Sequence, residues 1–406
     1  MVASVSALTS SGQAASYYEA DDYYAGDGLS PSEWQGKGAE ALDLSGDVDR
    51  DQFRELLDGK VEDQQLGTTR DGKLEHRPGW DVTLSAPKSV SVMAEVAGDR
   101  RLVAAHGQAV KTALAHVEQH MAATRVRDGG AVNRETTSNL VVASFQHGTS
   151  RAQDPQLHTH NVIMNATKSE DGAWRSLEPR AIYQLQKQIG AIYRQELALK
   201  VRELGYEIET GKDSLFEIKG VSGEVMAAFS TRSAEIEAAL GTRGTTRDEA
   251  SAAEKQIAAL DTRQAKVAAD HASLVADWRE TASAAGFGSE ARLAMVREAE
   301  GIAASKDHRA TMEMQGDTSA GRAVAHAADK LGERKSVFSA AALQEEAGRI
   351  GLGKVSYAQI GEAMAAATKQ GELIDRTHID RRGAEFAGFT TRANVETEAK
   401  MLRIEA

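Results

Sequence analysis

The stretch FQHGTSRAQDPQLHTHNVIMN, residues 145–165, decides how this chain is read. The segments SNLVVASFQH and LHTHNVIMNAT read as two strands. GTSRAQDPQ between them is rich in turn formers, so the strands are expected to pair. Side chains alternate along a strand, which puts His158 and His160 on one face. His147 ends the preceding strand, and an antiparallel hairpin brings it back beside them. Three convergent imidazoles make a metal site with open positions for substrate. Of eleven histidines, only this trio has that spacing. An isolated H-x-H pair is usually an ordinary surface or core pair, and the third histidine improves the odds. Imidazoles suit zinc, nickel, iron or copper on softness grounds. A hard ion such as magnesium would need oxygen ligands from the substrate itself.

Working outward, WDVTLSAP at 80–87 alternates and ends at a proline, a strand signature. In that register Asp81, Thr83 and Ser85 share one face, and Val82 and Leu84 the other. RLVAAHGQAVKTALAHVEQHMAATR, residues 101–125, predicts a helix stopped by Gly129 and Gly130. IYQLQKQIGAIYRQELALKVREL, residues 182–204, predicts another, with Gly205 as its cap. Two tempting motifs fail. HVEQH at 116–120 has histidines at helical spacing, but a zinc-protease helix needs Glu where Val117 stands, so it reads as a polar helix face. GRIGLGKVS at 348–356 nearly spells a phosphate-binding loop, but Val355 replaces the magnesium-binding hydroxyl and a helix precedes it.

The 406 residues allow two or three domains. Residues 1–235 read as mixed α and β. Residues 236–312 shift to Ala, Glu, Lys, Arg and Thr and read as a helical extension. Within its end, ASKDHRATMEMQGDTSAG (304–321) reads as a linker. Residues 313–406 read as a small module, two helices followed by a β-wing, which suggests a winged helix. The absence of cysteine excludes disulfides and thiolate metal sites. No signal-peptide pattern opens the chain and no apolar run is long enough to span a membrane. The net charge of −12 is uneven: residues 1–60 hold twelve acidic against four basic groups, residues 140–202 five against eight. A local basic surface can bind phosphates on an acidic protein, so the net charge does not exclude nucleic acid.

One more stretch needs an explanation. ASYYEADDYYAGDG (15–28) holds Tyr17, Tyr18, Tyr23 and Tyr24, half of the chain's eight tyrosines. Such a cluster can pack, bind a partner, stack on bases or supply a covalent nucleophile. Four motifs in order settle the choice: YYEADDYY; EWQGKGAE at 33–40; DVTLSAPKSVS at 81–91; and DPQLHTH with His147 eleven residues upstream of His158. Together they resemble a conjugative relaxase of the MobF class, within the HUH endonuclease superfamily, over roughly residues 1–285.

The resemblance implies an α+β fold: an antiparallel, palm-like sheet flanked by helices, with a smaller, mostly helical C-terminal module. It implies metal-dependent nicking of single-stranded DNA at a plasmid transfer origin, through a 5′-phosphotyrosine link that is later rejoined. A tyrosine suits a reversible reaction because a phenolate, from a group of pKa about 10, is a fair leaving group. By family correspondence Tyr17 is the first nucleophile and Tyr23 the candidate for a second strand transfer. Tyr18 and Tyr24 are supporting or stacking residues. The two pairs stand six residues apart, tighter than the family pattern. Asp81 is expected to hydrogen-bond a metal-ligating histidine or to assist proton removal. His147, His158 and His160 hold the divalent ion, magnesium or manganese by family habit, with zinc or nickel as alternatives. Lys88, Arg151, Arg175, Lys187 and Arg232 are candidate DNA contacts, each of which is otherwise an ordinary solvated charge.

The expected partners are single-stranded DNA or an origin-of-transfer hairpin, other relaxosome proteins and secretion-coupling proteins. The expected location is the bacterial cytoplasm, with passage to a recipient cell alongside the DNA. ERKSVFSAAAL, QGELI and FTTRANVETEAKML resemble the segment preceding a superfamily-1 helicase in longer relaxases. No phosphate-binding loop follows, which is expected of a truncated chain or of a protein without the motor. The runner-up is a rolling-circle replication initiator, whose tyrosine usually follows the histidines. Here it precedes them by about 130 residues. A third reading is a non-catalytic DNA-binding protein with a degenerate metal site, against which the intact trio argues.

Overall fold

The computed structural model describes residues 3–21, 32–211, 215–262, 270–379 and 385–405. Tyr23 and Tyr24 lie outside them. The chain forms two compact units, one built from residues 1–107, 114–184 and 217–297, the other from 108–113, 185–216 and 298–406.

The first unit is organised by a five-stranded sheet. Its strands are β1 (Ala3–Ala7), β2 (Ser32–Gln35), β3 (Gly79–Ser85), β6 (Val142–Thr149) and β7 (Pro155–Met164). The spatial order is β1-β3-β7-β6-β2, and every neighbouring pair is antiparallel. The palm-like antiparallel sheet expected from the resemblance is therefore present. β7, ten residues long, is paired on both sides and sits at the centre. Its alternation splits the sheet into two faces. On one, Phe145, Val162 and Met164 pack with Trp34 and with Ala14, Ala15 and Tyr18 of α1 (Ser11–Asp21). Phe53, Leu56 and Leu57 of α2 (Arg50–Leu57) complete that core. On the other lie Val82, Leu84, Leu157 and Ile163, all fully buried. The second face is turned to α3 (Lys88–Glu95) and α4 (Arg100–Met121): Leu157 N–H donates to Ser91 Oγ at 3.0 Å, and His106 meets Thr159.

The SAPKSVS motif is an internal splice in this arrangement. Pro87 starts α3, Ser89 Oγ accepts from Ile218 N–H at 2.6 Å, and Ser89 N–H donates to Glu217 Oε2 at 2.8 Å. Both serines are buried with backbone partners, so neither is a free hydroxyl.

Three local expectations are corrected. The helix from residue 101 ends at Met121, and Ala123 begins a ribbon, β4 (Ala123–Asp128) with β5 (Ala131–Thr136). Gly129 and Gly130 form its two-residue turn, with φ +55° and +88°, the left-handed geometry that a tight hairpin requires. They close a hairpin and do not stop the helix. The helix expected over 182–204 is broken at Leu185, and α5 runs Gln186–Glu203. At its end Gly205 has φ +89°, and Tyr206 N–H reaches back to Val201 O at 3.2 Å, the predicted cap. Residues 304–321 are no linker: α8 spans Lys306–Gly332. Its Ala320, Ala323, Val324, Ala327 and Ala328 are buried in the second unit's core, and that packing outweighs the low helix propensity of Gly316 and Gly321.

In the second unit α8 is followed by β8 (Phe338–Ser339), α9 (Ala340–Ile350), α10 (Tyr357–Lys369), β9 (Leu373–Ile379) and β10 (Glu385–Thr391). The three strands pair in the order β8-β10-β9. This is the helix–strand–helix–helix–hairpin sequence of a winged helix, completed by α11 (Arg392–Glu405). Ser356, just after the stretch that nearly spells a phosphate loop, caps α10 in a capping box with Gln359.

Candidate metal centre and active site

The register of the sheet builds the site. His147 stands opposite His158 across β6 and β7, and Phe145 stands opposite His160. On the other side His160 faces Thr83 and His158 faces Ser85 of β3. The three imidazoles converge with ring centres 5.1–5.3 Å apart, and one ligand nitrogen from each lies within 4.8 Å of the others. Among the described residues this is the one group of histidines and carboxylates that can hold a metal ion.

The outer nitrogens are already used. His160 Nδ1–H donates to Asp81 Oδ2 at 2.7 Å, and Thr83 Oγ1 donates to Asp81 Oδ1 at 3.2 Å. His158 Nδ1–H donates to Gln156 O at 2.8 Å. Both tautomers are thereby set, leaving Nε2 as the lone-pair nitrogen. Burial holds His147 well below the ordinary histidine range, with the neighbouring His158 and His160 adding to it. Burial also lowers His158 to about 4, with His160 as the second cause. At neutral pH these two imidazoles are neutral, which is the form that binds a metal. The donor set fits a divalent ion.

An open pocket of about 520 Å³ lies over His158 and His160 of the trio. Asp81, Thr83, His158 and His160 line it, together with Tyr18, Arg151 and Arg232. Tyr18 is buried. Its ring stacks on Phe145 at 4.9 Å and meets the edge of His160 at 5.7 Å. Tyr17 precedes it on α1, within the same helix.

The candidate DNA contacts separate into groups. Arg151 lies at the pocket. Arg232 does too, but its guanidinium also binds Thr262 Oγ1 at 2.8 Å, the carbonyls of Thr262 and Ala259, and Glu235. Lys88 Nζ donates to Pro155 O at 3.0 Å and is lowered from the ordinary lysine range by burial. Arg175 is paired bidentately with Asp171 at 2.9 and 2.6 Å. Lys187 is exposed and belongs to the second unit.

Spacing alone missed several residues. His106, fully buried on α4, places Nε2 2.7 Å from Thr159 Oγ1, on the far side of β7 from the metal ligands. Burial lowers it to about 3. Asn161 donates to Val82 O at 2.8 Å and accepts from Ser144 Oγ at 2.8 Å, joining β3, β7 and β6. The loop carrying Arg151 is held at three points. Asp154 accepts from Thr231 N–H and Oγ1 at the start of α6 (Thr231–Gly241), and Gln153 O accepts from Trp278 of α7 (His271–Ala284) at 2.7 Å. Pro155 O accepts from Lys88. His116, read as part of a polar helix face, is instead buried, its ring 4.7 Å from that of His120.

A family model described as TrwC relaxase matches residues 11–285. Over 295 residues the chain is 42% identical to the multifunctional conjugation protein TraI of Escherichia coli (strain K12), covering 70% of this chain and 16% of that protein's length. A copper-bound structure of the conjugative relaxase TrwC in complex with oriT DNA is 44% identical, with a TM-score of 0.66, over 70% of this chain and 98% of that one. A TrwC complex with a 27-mer DNA comprising the recognition hairpin and the cleavage site is 41% identical, with a TM-score of 0.64, over 70% and 98% of the two chains. The family match spans four of the sheet's five strands, the histidine trio and α1 with Tyr17 and Tyr18, so the chain belongs to the TrwC relaxase family.

Proposed function

We propose that this chain is a conjugative relaxase that nicks single-stranded DNA at a plasmid transfer origin, site- and strand-specifically, and later reseals it. The observation that carries the reading is the convergence of His147, His158 and His160 beside α1. In the proposed step the Tyr17 hydroxyl oxygen attacks the scissile phosphorus. The bond to the 3′ oxygen breaks, a 5′-phosphotyrosine forms, and the phenolic proton is exchanged for one gained by the leaving 3′ oxygen. The reverse attack by a 3′ hydroxyl rejoins the strand. A divalent ion held by the trio, magnesium or manganese in the cell, supplies positive charge for the non-bridging phosphate oxygens.

The residues around the trio support defined tasks. Asp81 already accepts from both His160 and Thr83, which favours its role in orienting His160 over that of a proton acceptor. Tyr18, wedged between Phe145 and His160, fits a packing role under the nucleophile's helix. Arg151, which lines the pocket beside His158 and His160, is a candidate phosphate contact. Tyr23 remains the candidate for a second transfer, with Tyr24 as a supporting or stacking residue. Recognition of an origin hairpin, relaxosome and secretion-coupling partners, a bacterial cytoplasmic location and passage with the DNA complete the proposal. Among the described residues no helix is long and apolar enough to cross a membrane.

The test uses a labelled oligonucleotide carrying the nick site of the host plasmid. With manganese the protein should give a labelled, protein-sized band on a denaturing gel. Tyr17→Phe should abolish it. An undiminished band in that variant would remove Tyr17 as nucleophile.

A further inference from the structure

The turn that closes the β6–β7 hairpin is fastened at many points, and one of its residues is strained. Gln153 has φ +61°, in the left-handed region that a side chain such as glutamine rarely adopts. A conformation of that kind persists where its surroundings over-determine it, and it gathers at ligand clamps. The surroundings here do so. Within the turn, Gln153 N–H donates to Ser150 O at 3.0 Å, Ser150 N–H to Asp154 O at 2.9 Å, and Asp154 N–H to Ser150 Oγ at 3.1 Å. From outside, Thr231 holds the Asp154 carboxylate through its N–H at 3.0 Å and its Oγ1 at 2.9 Å, and Lys88 holds Pro155 O.

The bond from Trp278 Nε1–H to Gln153 O, at 2.7 Å, reaches the strained residue itself. A carbonyl swings with the φ and ψ of its own residue. A donor fixed in the core at that carbonyl therefore holds the left-handed state. Trp278 is such a donor: it is 4% exposed on α7, with the ring of His271 edge-on at 6.0 Å. Burial alone does not demand the bond. The indole N–H groups of Trp34 and Trp174 are buried with no hydrogen-bond partner among the described residues.

What the turn carries gives the bond its use. Thr149, Ser150 and Arg151 line the pocket, and so does Arg232, the residue after Thr231. The fastened turn and the start of α6 thus form one wall of the pocket. Contacts to phosphate fix the register of a bound strand, and a small misplacement of such a wall is costly.

We propose that Trp278 is a positioning residue for the substrate strand: by holding Gln153 left-handed, it sets Ser150 and Arg151 in the pocket wall before DNA binds. The inference rests on the nicking function proposed above. Ordering the wall in the free protein removes that cost from binding.

The experiment compares the full chain with Trp278→Phe, which keeps a buried ring and removes the donor, and with Trp278→Phe/Gln153→Asn. Asparagine adopts the left-handed region far more readily than glutamine. Binding of a labelled single-stranded oligonucleotide carrying the nick site is followed by anisotropy, with a chelator present to prevent cleavage. Manganese affinity is measured separately by calorimetry, and stability by thermal melts. Trp278→Phe should bind the oligonucleotide about fivefold more weakly, with manganese affinity unchanged. The double variant should regain most of the DNA affinity while its melting temperature stays at the Trp278→Phe value. DNA binding equal to the parent's in Trp278→Phe overturns the proposal. An equal loss of manganese binding, which marks a disturbed sheet, overturns it too. So does a double variant that regains nothing, because packing is then all that Trp278 contributes. A parent protein that does not bind the oligonucleotide removes the nicking reading, and this inference with it.

Discussion

At the scale of the residue, the site works through second nitrogens. His160 is oriented by Asp81, and His158 by a backbone carbonyl two residues away. Asp81→Asn keeps the volume but replaces an acceptor oxygen with an amide. Manganese affinity should fall about 10- to 100-fold, as measured by calorimetric titration, while the melting temperature of the metal-free protein changes little. Protonation has a direction too. Burial lowers His158 and His116 to about 4 and His106 to about 3, and it lowers His147 as well. Above pH 6.5 folded and unfolded chains both leave these groups neutral, so they add no pH dependence. Below 6.5 the unfolded chain takes up protons that the folded one refuses. Stability is therefore lost as pH falls from about 6.5 towards 4, at up to about 1.4 kcal/mol per pH unit for each group. Thermal melts without metal should be flat above pH 7 and fall steeply below 6. The trio was legible in the sequence because a strand's period of two puts 158 with 160; the same period puts 81 with 83, but Asp81's link to the histidines was implied only by the family resemblance. His106 and the stacking of Tyr18 were not legible, because each depends on which helix covers which face of the sheet.

At the scale of the element, close approach governs the sheet. A Cβ on Gly79 would lie 2.1 Å from Ile163 O, so β3 begins against β7 with no room for a side chain. Gly79→Ala should force the strands apart and cost about 1–3 kcal/mol, read as a lower midpoint in urea with reduced metal affinity, because β3 carries Asp81. β3, β6 and β7 were readable from alternation and turn chemistry. The end of α4 was misread because helix formers continue past Met121, and the pairing of Arg125 with Arg134 that makes those residues a strand is invisible in a local window. The supposed linker was misread for a related reason: its polar composition hides one small-residue face that is buried.

At the scale of the whole molecule, each compact unit is assembled from separated stretches of chain. Residues 217–297 group with the sheet, while 185–216 group with 298–406. A linear reading assigns residues by position, and composition cannot signal that the chain leaves a unit and returns. The order of the four motifs was legible all the same, since it depends on succession and not on packing. The loop anchors from Trp278 and Thr231 explain why residues far beyond the histidines belong to the same unit. The register of the central sheet has one more consequence, for folding. Sliding β7 by a single residue would turn His158 and His160 to the opposite face and bring Thr159 and Asn161 into their place. Only the native pairing assembles three imidazoles. An ion that binds that pairing alone adds about 4 kcal/mol to it at a thousandfold excess over Kd, and adds nothing to the slipped form. A bound ion would thus favour the native register over the slipped one.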